Sequence, residues 1–107
     1  MNTVQEIFDA MPASFSPEAA AGLDAVYQFD ITGDGGGAWY AVVKDGKLEL
    51  SSGRHASPSA TITSKAPDYL AIANGKANET MAFATGKLRV SGNLVLAMKL
   101  NKIFKRK

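Results

Sequence analysis

The side chains that could carry out chemistry in this chain are few and widely separated. The chain has one histidine and no cysteine, which excludes a thiolate nucleophile and a cysteine-type zinc site. His55 lies in a predicted loop beside Arg54, Ser57 and Ser59, so neither a metal cluster nor a Ser-His-Asp triad can be assembled there. We expect a solvent-exposed loop histidine. No pair of carboxylates indicates acid–base catalysis, so the sequence predicts no catalytic residue, no metal and no cofactor.

A glycine-rich segment has residue types that occur in two ligand-binding motifs, but neither motif is complete there. Gly33, Gly35 and Ala38 fit a dinucleotide fingerprint, which needs a helix N-terminus after the glycines to bind pyrophosphate. Residues 39–43 instead have the pattern of a strand. The same segment approaches a calcium-binding loop, but its last ligand position is an alanine rather than a glutamate. We therefore interpret residues 33–37 as a hairpin loop.

The strongest signal is apolar and lies in the last predicted helix, over residues 94–104. At ~100° per residue its apolar side chains fall on one arc of roughly 220°, whereas a helix that faces a core needs only about 100°. Lys99 and Lys102 define the solvent side, and Asn101 falls inside the arc. We therefore expect this helix to be buried on two sides or to line an apolar cavity. Asn101 would then hydrogen-bond the polar head of a ligand, since a buried asparagine needs a partner.

The elements that must position this helix follow from local patterns. Thr3 and Glu6 form a capping-box pattern before a helix that Pro12 is expected to end, and a short helical turn is predicted up to Gly22. Alternation with period two, an Asp-Gly hairpin signal and helical spacing predict the rest. The remaining elements are strands at 24–31, 38–43, 48–50, 60–63 and 87–91, and helices at 64–75 and 78–84. This order predicts an α+β fold, a sheet covered by helices.

Size and composition are those of an ordinary globular domain. The chain has 107 residues, 46% of them hydrophobic and 21% charged, so we expect one domain over residues 1–107. The N-terminus lacks the pattern of a secretory signal, and no apolar stretch approaches the ~20 residues of a membrane span, which favours a cytoplasmic protein. Seven bases and no acid follow Glu79, which predicts a positively charged C-terminal end.

Four segments resemble the sterol carrier protein 2 family, in the right order and over nearly the whole chain. They are FSPEAAAG at 15–22, YQFDITG at 27–33, Trp39-Tyr40 with Lys44-Asp45-Gly46, and AFATGKLRVSGN at 82–93. The resemblance implies a five-stranded, mostly antiparallel sheet covered by helices, with a hydrophobic tunnel between sheet and helices. It also implies that the tunnel takes fatty acids, fatty acyl-CoA, phospholipids or sterols, and that the domain catalyses no reaction.

Family members occur alone or joined to enzymes of lipid oxidation, and eukaryotic members often end in a peroxisomal address. The final Arg106-Lys107 does not match such an address. A free-standing form is therefore the expectation for this chain.

The main hypothesis is a non-enzymatic lipid carrier that buries an acyl chain, at ~25 cal/mol per Å² of apolar surface. Lys99 and Lys102 would attract the head group, or an anionic membrane surface in transient contact. The residues expected to line the lipid site are Phe8, Met11, Phe15, Trp39, Tyr69, Leu70, Met81, Phe83, Val90, Leu94, Met98, Asn101, Ile103 and Phe104.

The leading alternative is a protein–protein interaction module in which the same apolar face of the last helix docks on a partner. A third hypothesis is nucleic-acid binding through the C-terminal bases, which would be steeply salt-dependent. Because only the tail and not a whole face is basic, no nucleic-acid partner is predicted.

Overall fold

The computed structural model describes residues 3–104, apart from the side chains of Glu79 and Asn101. Four consecutive strands lie between the first helix and the later helices, which is an order typical of the predicted α+β fold. In chain order they are α1 (Val4–Ser14), β1 (Ala25–Thr32), β2 (Gly37–Lys44), β3 (Lys47–Ser52), β4 (Ala60–Lys65), α2 (Ala66–Ala73), α3 (Glu79–Ala84), β5 (Leu88–Gly92), α4 (Leu94–Met98) and α5 (Leu100–Ile103). Over residues 3–104, no helix has the length and apolar character needed to cross a bilayer.

The strands form one five-stranded sheet in the order β3-β2-β1-β4-β5. Three neighbouring pairs are antiparallel, and β1 pairs with β4 in parallel. The predicted mostly antiparallel sheet is therefore confirmed, with a parallel pair at its centre. This pair exists because residues 53–59 cross from β3 at one edge to β4 on the far side of β1, and β4 then runs in the direction of β1.

The helices cover one face of the sheet. Phe29 of β1 lies opposite Trp39 of β2 in the register, so both side chains point to this face. Phe8 of α1 stacks on Trp39 with ring centroids 4.3 Å apart and meets Phe29 edge-on at 5.2 Å. On its other side Phe8 lies parallel to Tyr69 of α2, at 5.9 Å. This aromatic cluster is the centre of the core.

The opposite face of the sheet is crossed by residues 53–59, which Gln28 holds in place. The buried Gln28 amide nitrogen donates to the carbonyl oxygens of Trp39 and Gly53, each at 3.1 Å, and its oxygen accepts from the His55 N–H at 2.8 Å. The His55 ring is half-buried and meets Tyr40 edge-on at 5.3 Å. The prediction of a solvent-exposed histidine is therefore wrong, because the loop packs against the sheet.

The predicted N-terminal cap of α1 is confirmed, but the predicted end of α1 and the predicted helical turn that follows it are wrong. Thr3 caps α1 as predicted, and its hydroxyl accepts from the Glu6 N–H at 3.2 Å. Pro12 does not end the helix, which continues to Ser14. A proline in the last turn removes one hydrogen bond near an end where few turns depend on it. Residues 17–22 form turns rather than a helix.

The hairpin between β2 and β3 is as the Asp-Gly pair predicts. Asp45 and Gly46 both have positive φ, of 55° and 71°, which is the geometry of a type I′ turn. The turn pairs Lys44 with Lys47 and sets the register of β3 on β2.

Candidate functional site

An apolar pocket lies between the sheet and the helices, toward the β4–β5 edge of the sheet. Its volume is about 250 Å³. Among its lining residues, Tyr69 and Thr80 have hydroxyls and none is charged. The lining consists of Phe29, Ile62, Tyr69, Ile72, Thr80, Phe83, Leu88, Val90, Leu94, Ala97, Met98 and Leu100. A pocket of this composition suits the hydrocarbon part of a ligand.

The floor of the pocket is built by strand register. Ile62 of β4 lies opposite Val90 of β5 in their antiparallel pairing, so both side chains point to the helix-covered face. Two residues along, the Ser64 hydroxyl donates to the Lys87 carbonyl oxygen at 2.9 Å, just before β5 begins. This bond satisfies the buried Ser64 hydroxyl and helps to anchor the edge strand that carries half of the floor.

Two helices form one wall. On α2, Tyr69 and Ile72 are three residues apart and therefore face the same side. The α3 wall begins at Asn78, whose side-chain oxygen accepts from the N–H groups of Thr80 and Met81 at 2.8 and 3.2 Å. This cap starts a helix of six residues whose Phe83 side chain reaches the pocket.

The other wall is α4, which is joined to β5 by a tight connection. Gly92 has φ of 84°, and a Cβ there would lie 2.7 Å from the Ser59 carbonyl oxygen, so only glycine fits. Asn93 then caps α4, its side-chain oxygen accepting from the Leu96 N–H at 3.1 Å. No side chain of α4 is buried.

A hydrogen bond from the sheet fastens α4. The Tyr27 hydroxyl donates to the Leu96 carbonyl oxygen at 2.8 Å. Burial disfavours the charged phenolate and raises the pKa of Tyr27 to about 12, so the hydroxyl remains protonated and able to donate at physiological pH. The wall of the pocket is thus tied to the centre of the sheet.

The segment predicted as the last helix forms two short helices, α4 and α5. Its apolar side chains are divided between the buried core and the exposed surface beside the pocket. The Lys99 N–H donates to Leu96 and the Lys102 N–H to Lys99, which are three-residue spacings that tighten the turn. A constant 100° step therefore does not describe this segment. Ile103 is buried and the Ser16 N–H donates to its carbonyl oxygen at 2.7 Å, whereas Met98 is 67% exposed. The prediction of one continuous helix is therefore wrong. Of the two alternatives for its apolar arc, burial on two sides is not observed, whereas Leu94, Ala97, Met98 and Leu100 line an apolar pocket.

Of the residues predicted to line a lipid site, five line this pocket: Tyr69, Phe83, Val90, Leu94 and Met98. Phe8 and Trp39 lie behind Tyr69 in the aromatic cluster, and Met11 is buried in the same core.

The other predicted residues lie away from the lining. Phe15 and Phe104 pack against each other at 5.7 Å, and Phe104 is buried beside Ile103. Leu70 is half-buried against the core, and Met81 is 62% exposed. Lys99 and Lys102 are exposed. The side chain of Asn101 and all of Lys105, Arg106 and Lys107 lie outside the described part, so the predicted roles of Asn101 and of the basic tail stay predictions.

Seven lining residues were absent from the prediction: Phe29, Ile62, Ile72, Thr80, Leu88, Ala97 and Leu100. Phe29 and Ile62 could have been found, because each lies on the apolar side of an alternating strand. Ile72 could have been found from its spacing to Tyr69. The contribution of Thr80 and Leu88 depends on how α3 and β5 pack together, for which no local pattern exists.

Comparison with known proteins identifies the family of this fold. The model of the SCP-2 sterol transfer family matches residues 4–105. Hydroxysteroid dehydrogenase-like protein 2 of Mus musculus is 36% identical over 101 residues, which cover 94% of this chain and 21% of that protein. The chain thus spans about a fifth of the length of this relative.

Solved structures of similar size agree in fold. The solution structure of palmitated SCP2L2 from Aedes aegypti has a TM-score of 0.78 and 29% identity, and the match covers 97% of this chain and 96% of that one. The crystal structure of Sterol Carrier Protein 2 Like 2 from the same organism has a TM-score of 0.75 and 28% identity, with 94% and 95% coverage. With its five-stranded sheet and helix-covered pocket, the chain belongs to the SCP-2 sterol transfer family.

Proposed function

We propose that this chain binds a single-chain lipid, with a fatty acid as the first ligand to test, and catalyses no reaction on it. Family membership supports lipid binding or transfer in general terms. The observation that carries the narrower proposal is the uncharged, apolar lining of the pocket between sheet and helices. Such a surface stabilises hydrocarbon and offers nothing to a buried charge.

The volume of the pocket favours one acyl chain. About 250 Å³ lies below the roughly 300–1,000 Å³ of most small-molecule sites, so a second chain or a rigid ring system would need expansion. A chain longer than the pocket would continue along Phe83 and Met98, which are 48% and 67% exposed at its edge. The palmitate bound to the Aedes aegypti relative makes palmitate a suitable probe.

In this proposal the polar end of the ligand lies outside the apolar pocket. Lys99 and Lys102 are exposed and lie one and four residues after Met98, where they would attract a carboxylate or the phosphates of an acyl-CoA. The affinity for a lipid should then depend mainly on the length of its acyl chain. Each buried methylene contributes about 0.8 kcal/mol, so binding should tighten about fourfold per methylene until the pocket is filled.

The test is displacement of a fluorescent fatty acid by palmitate, with two variants of α4. Ala97 lines the pocket and Val95 does not, so Ala97→Phe fills the site while Val95→Phe adds a similar side chain outside it. We expect Ala97→Phe to weaken binding tenfold or more and Val95→Phe to bind like the wild type in solution. Thermal unfolding of both variants verifies that they fold.

Wild-type protein that binds no fluorescent fatty acid, or equal binding by folded Ala97→Phe, would show that the pocket is not the lipid site.

A further inference from the structure

The large exposed apolar side chains of the described residues are confined to α3 and α4. We call them the α3–α4 rim: Met81, Phe83, Leu94, Val95 and Met98, which are between 47% and 67% exposed. Single exposed apolar residues are ordinary, but a group that comes from two neighbouring elements indicates an interaction surface. Nothing in the sequence of α3 or α4 requires these residues for the core.

The rim is continuous with the opening of the pocket. Phe83, Leu94 and Met98 line the pocket and are also about half exposed or more. Whatever covers the rim therefore also faces the pocket opening, which is where a lipid would enter or leave.

The charge around the rim is positive. Over α3 and residues 94–103 the sequence has two bases, Lys99 and Lys102, and one acid, Glu79. Lys99 and Lys102 are exposed and lie in the turn and the short helix that directly follow α4. The α1 surface is the reverse, since residues 4–14 have Glu6 and Asp9 and no base.

We propose that the α3–α4 rim docks on an anionic lipid bilayer, an inference that rests on the proposed lipid-binding function. Exposed methionine, leucine, valine and phenylalanine side chains would enter the boundary of the acyl chains, while Lys99 and Lys102 meet the anionic head groups. A bilayer fits better than a protein partner because three rim residues, Phe83, Leu94 and Met98, also line the proposed lipid pocket, and a bilayer can supply a lipid to it. Docking by this face presents the pocket opening to the lipids, whereas docking by α1 would oppose like charges.

The experiment is sedimentation of the full chain with vesicles of phosphatidylcholine alone and of equal parts phosphatidylcholine and phosphatidylglycerol. The wild type should bind the anionic vesicles much more tightly, and added salt should weaken this preference. Val95 is 65% exposed and outside the pocket lining, so it tests the rim separately from the pocket. We expect Val95→Gln to weaken vesicle binding about tenfold and Val95→Trp to strengthen it, with fatty-acid binding in solution unchanged in both.

A matched pair of charge variants tests the role of the bases. Lys99→Gln with Lys102→Gln should reduce the preference for anionic vesicles by roughly an order of magnitude, since each cation near such a surface contributes about a factor of five. Lys44→Gln with Lys47→Gln makes the same change of net charge in the β2–β3 hairpin, at the sheet edge opposite β5. That control should bind vesicles almost like the wild type.

Three outcomes would overturn the docking surface without contradicting the lipid pocket. They are equal vesicle binding by the wild type and Val95→Gln, equal effects of the two pairs of lysine substitutions, and no vesicle binding by a protein that binds fatty acid. Self-association that Val95→Gln abolishes, without vesicle binding, would assign the rim to a second protein chain and also overturn it. Vesicle binding that follows the rim variants while no fatty acid binds would support the docking surface and contradict the proposed function.

Discussion

Tyr27 connects the sheet to the pocket wall through one buried polar group. Its side chain is fully buried, and its hydroxyl donates to the Leu96 carbonyl oxygen at 2.8 Å. That carbonyl also accepts from the Lys99 N–H at 3.1 Å, so removing the tyrosine hydroxyl would not leave it without a partner. We therefore expect Tyr27→Phe to cost about 1 kcal/mol of stability at neutral pH.

The free energy of unfolding should depend on pH differently in the wild type and in Tyr27→Phe. The pKa of Tyr27 is raised to about 12 by burial, above the value of about 10 in an unfolded chain. Between these pH values the unfolded state loses the proton first, so wild-type stability falls as pH rises through this window, by up to about 3 kcal/mol. Tyr27→Phe has no such proton. Urea unfolding at about pH 8 and at steps up to pH 12 should show the advantage of the wild type disappear and then reverse.

Parallel stability curves for the wild type and Tyr27→Phe across that range would mean that the hydroxyl titrates normally in the folded protein.

At the scale of elements, α4 is a short pocket wall that buries none of its own side chains. It has five residues, none buried, and is held by the Asn93 cap, the Tyr27 hydrogen bond and the half-buried Leu96 and Ala97. Segments with little burial open locally at a lower free energy than the core does. Ligand exchange through this wall would therefore leave the aromatic cluster around Phe8 intact.

The Asn93 cap should control how easily α4 opens. Asn93→Ala removes the acceptor of the Leu96 N–H and should cost about 1 kcal/mol. Because α4 opens separately from the core, we expect faster amide exchange at residues 94–98 and almost no change in exchange at β1. Asn93→Asp, which retains a capping oxygen, is the control and should exchange like the wild type. Equal acceleration in β1 would show that α4 and the core open as one unit.

At the scale of the whole molecule, the core is complete without a ligand. Twenty hydrophobic residues are buried in the described part, and the largest of them are around Tyr27, Phe8 and Phe29 rather than at the pocket opening. The protein should therefore fold without lipid, and a bound lipid should add stability only by mass action.

Palmitate should accordingly raise the melting temperature with the logarithm of its free concentration once that concentration exceeds Kd. At a free concentration about 100 times Kd, the gain is about 2.7 kcal/mol, which corresponds to roughly 10–20 °C at about 4–8 °C per kcal/mol for a domain of this size. Ala97→Phe should show no increase at the same concentration, whereas Val95→Phe should show the full increase. A melting temperature that palmitate leaves unchanged in the wild type would contradict binding to the native state.

Two expectations about the whole protein stay predictions: one domain over residues 1–107, and a cytoplasmic location. The chain spans about a fifth of its mouse relative, so any activity of the rest of such proteins is separate from the pocket described above. Fractionation of cells that express the tagged natural gene would test the location.

Features that depend on a few adjacent residues could be predicted from the sequence. The Thr3 cap, the Asp45-Gly46 turn, the alternation in β1 and the succession of helices and strands are of this kind, because backbone sterics and local hydrogen bonds determine them. The family resemblance, carried by segments such as residues 82–93, predicted the sheet and the lipid-binding class. The absence of cysteine excluded a thiolate nucleophile and a cysteine-type zinc site.

The pocket lining and the exposed rim depended on tertiary structure. Residues 94–104 look alike in sequence, yet the turn at Lys99 sends Ile103 and Phe104 into the core by α1 and leaves Val95 and Met98 exposed. The pairing of Ile62 with Val90 and the parallel pairing of β1 with β4 were equally absent from any local pattern. Local sequence patterns predicted most of the helices and strands and identified the side chains that prefer to leave water, but not the turns at residues 17–22 or the break at Lys99. Only long-range packing decided which of those apolar side chains bury one another and which remain free to meet a lipid, since burial depends on what the rest of the chain places opposite.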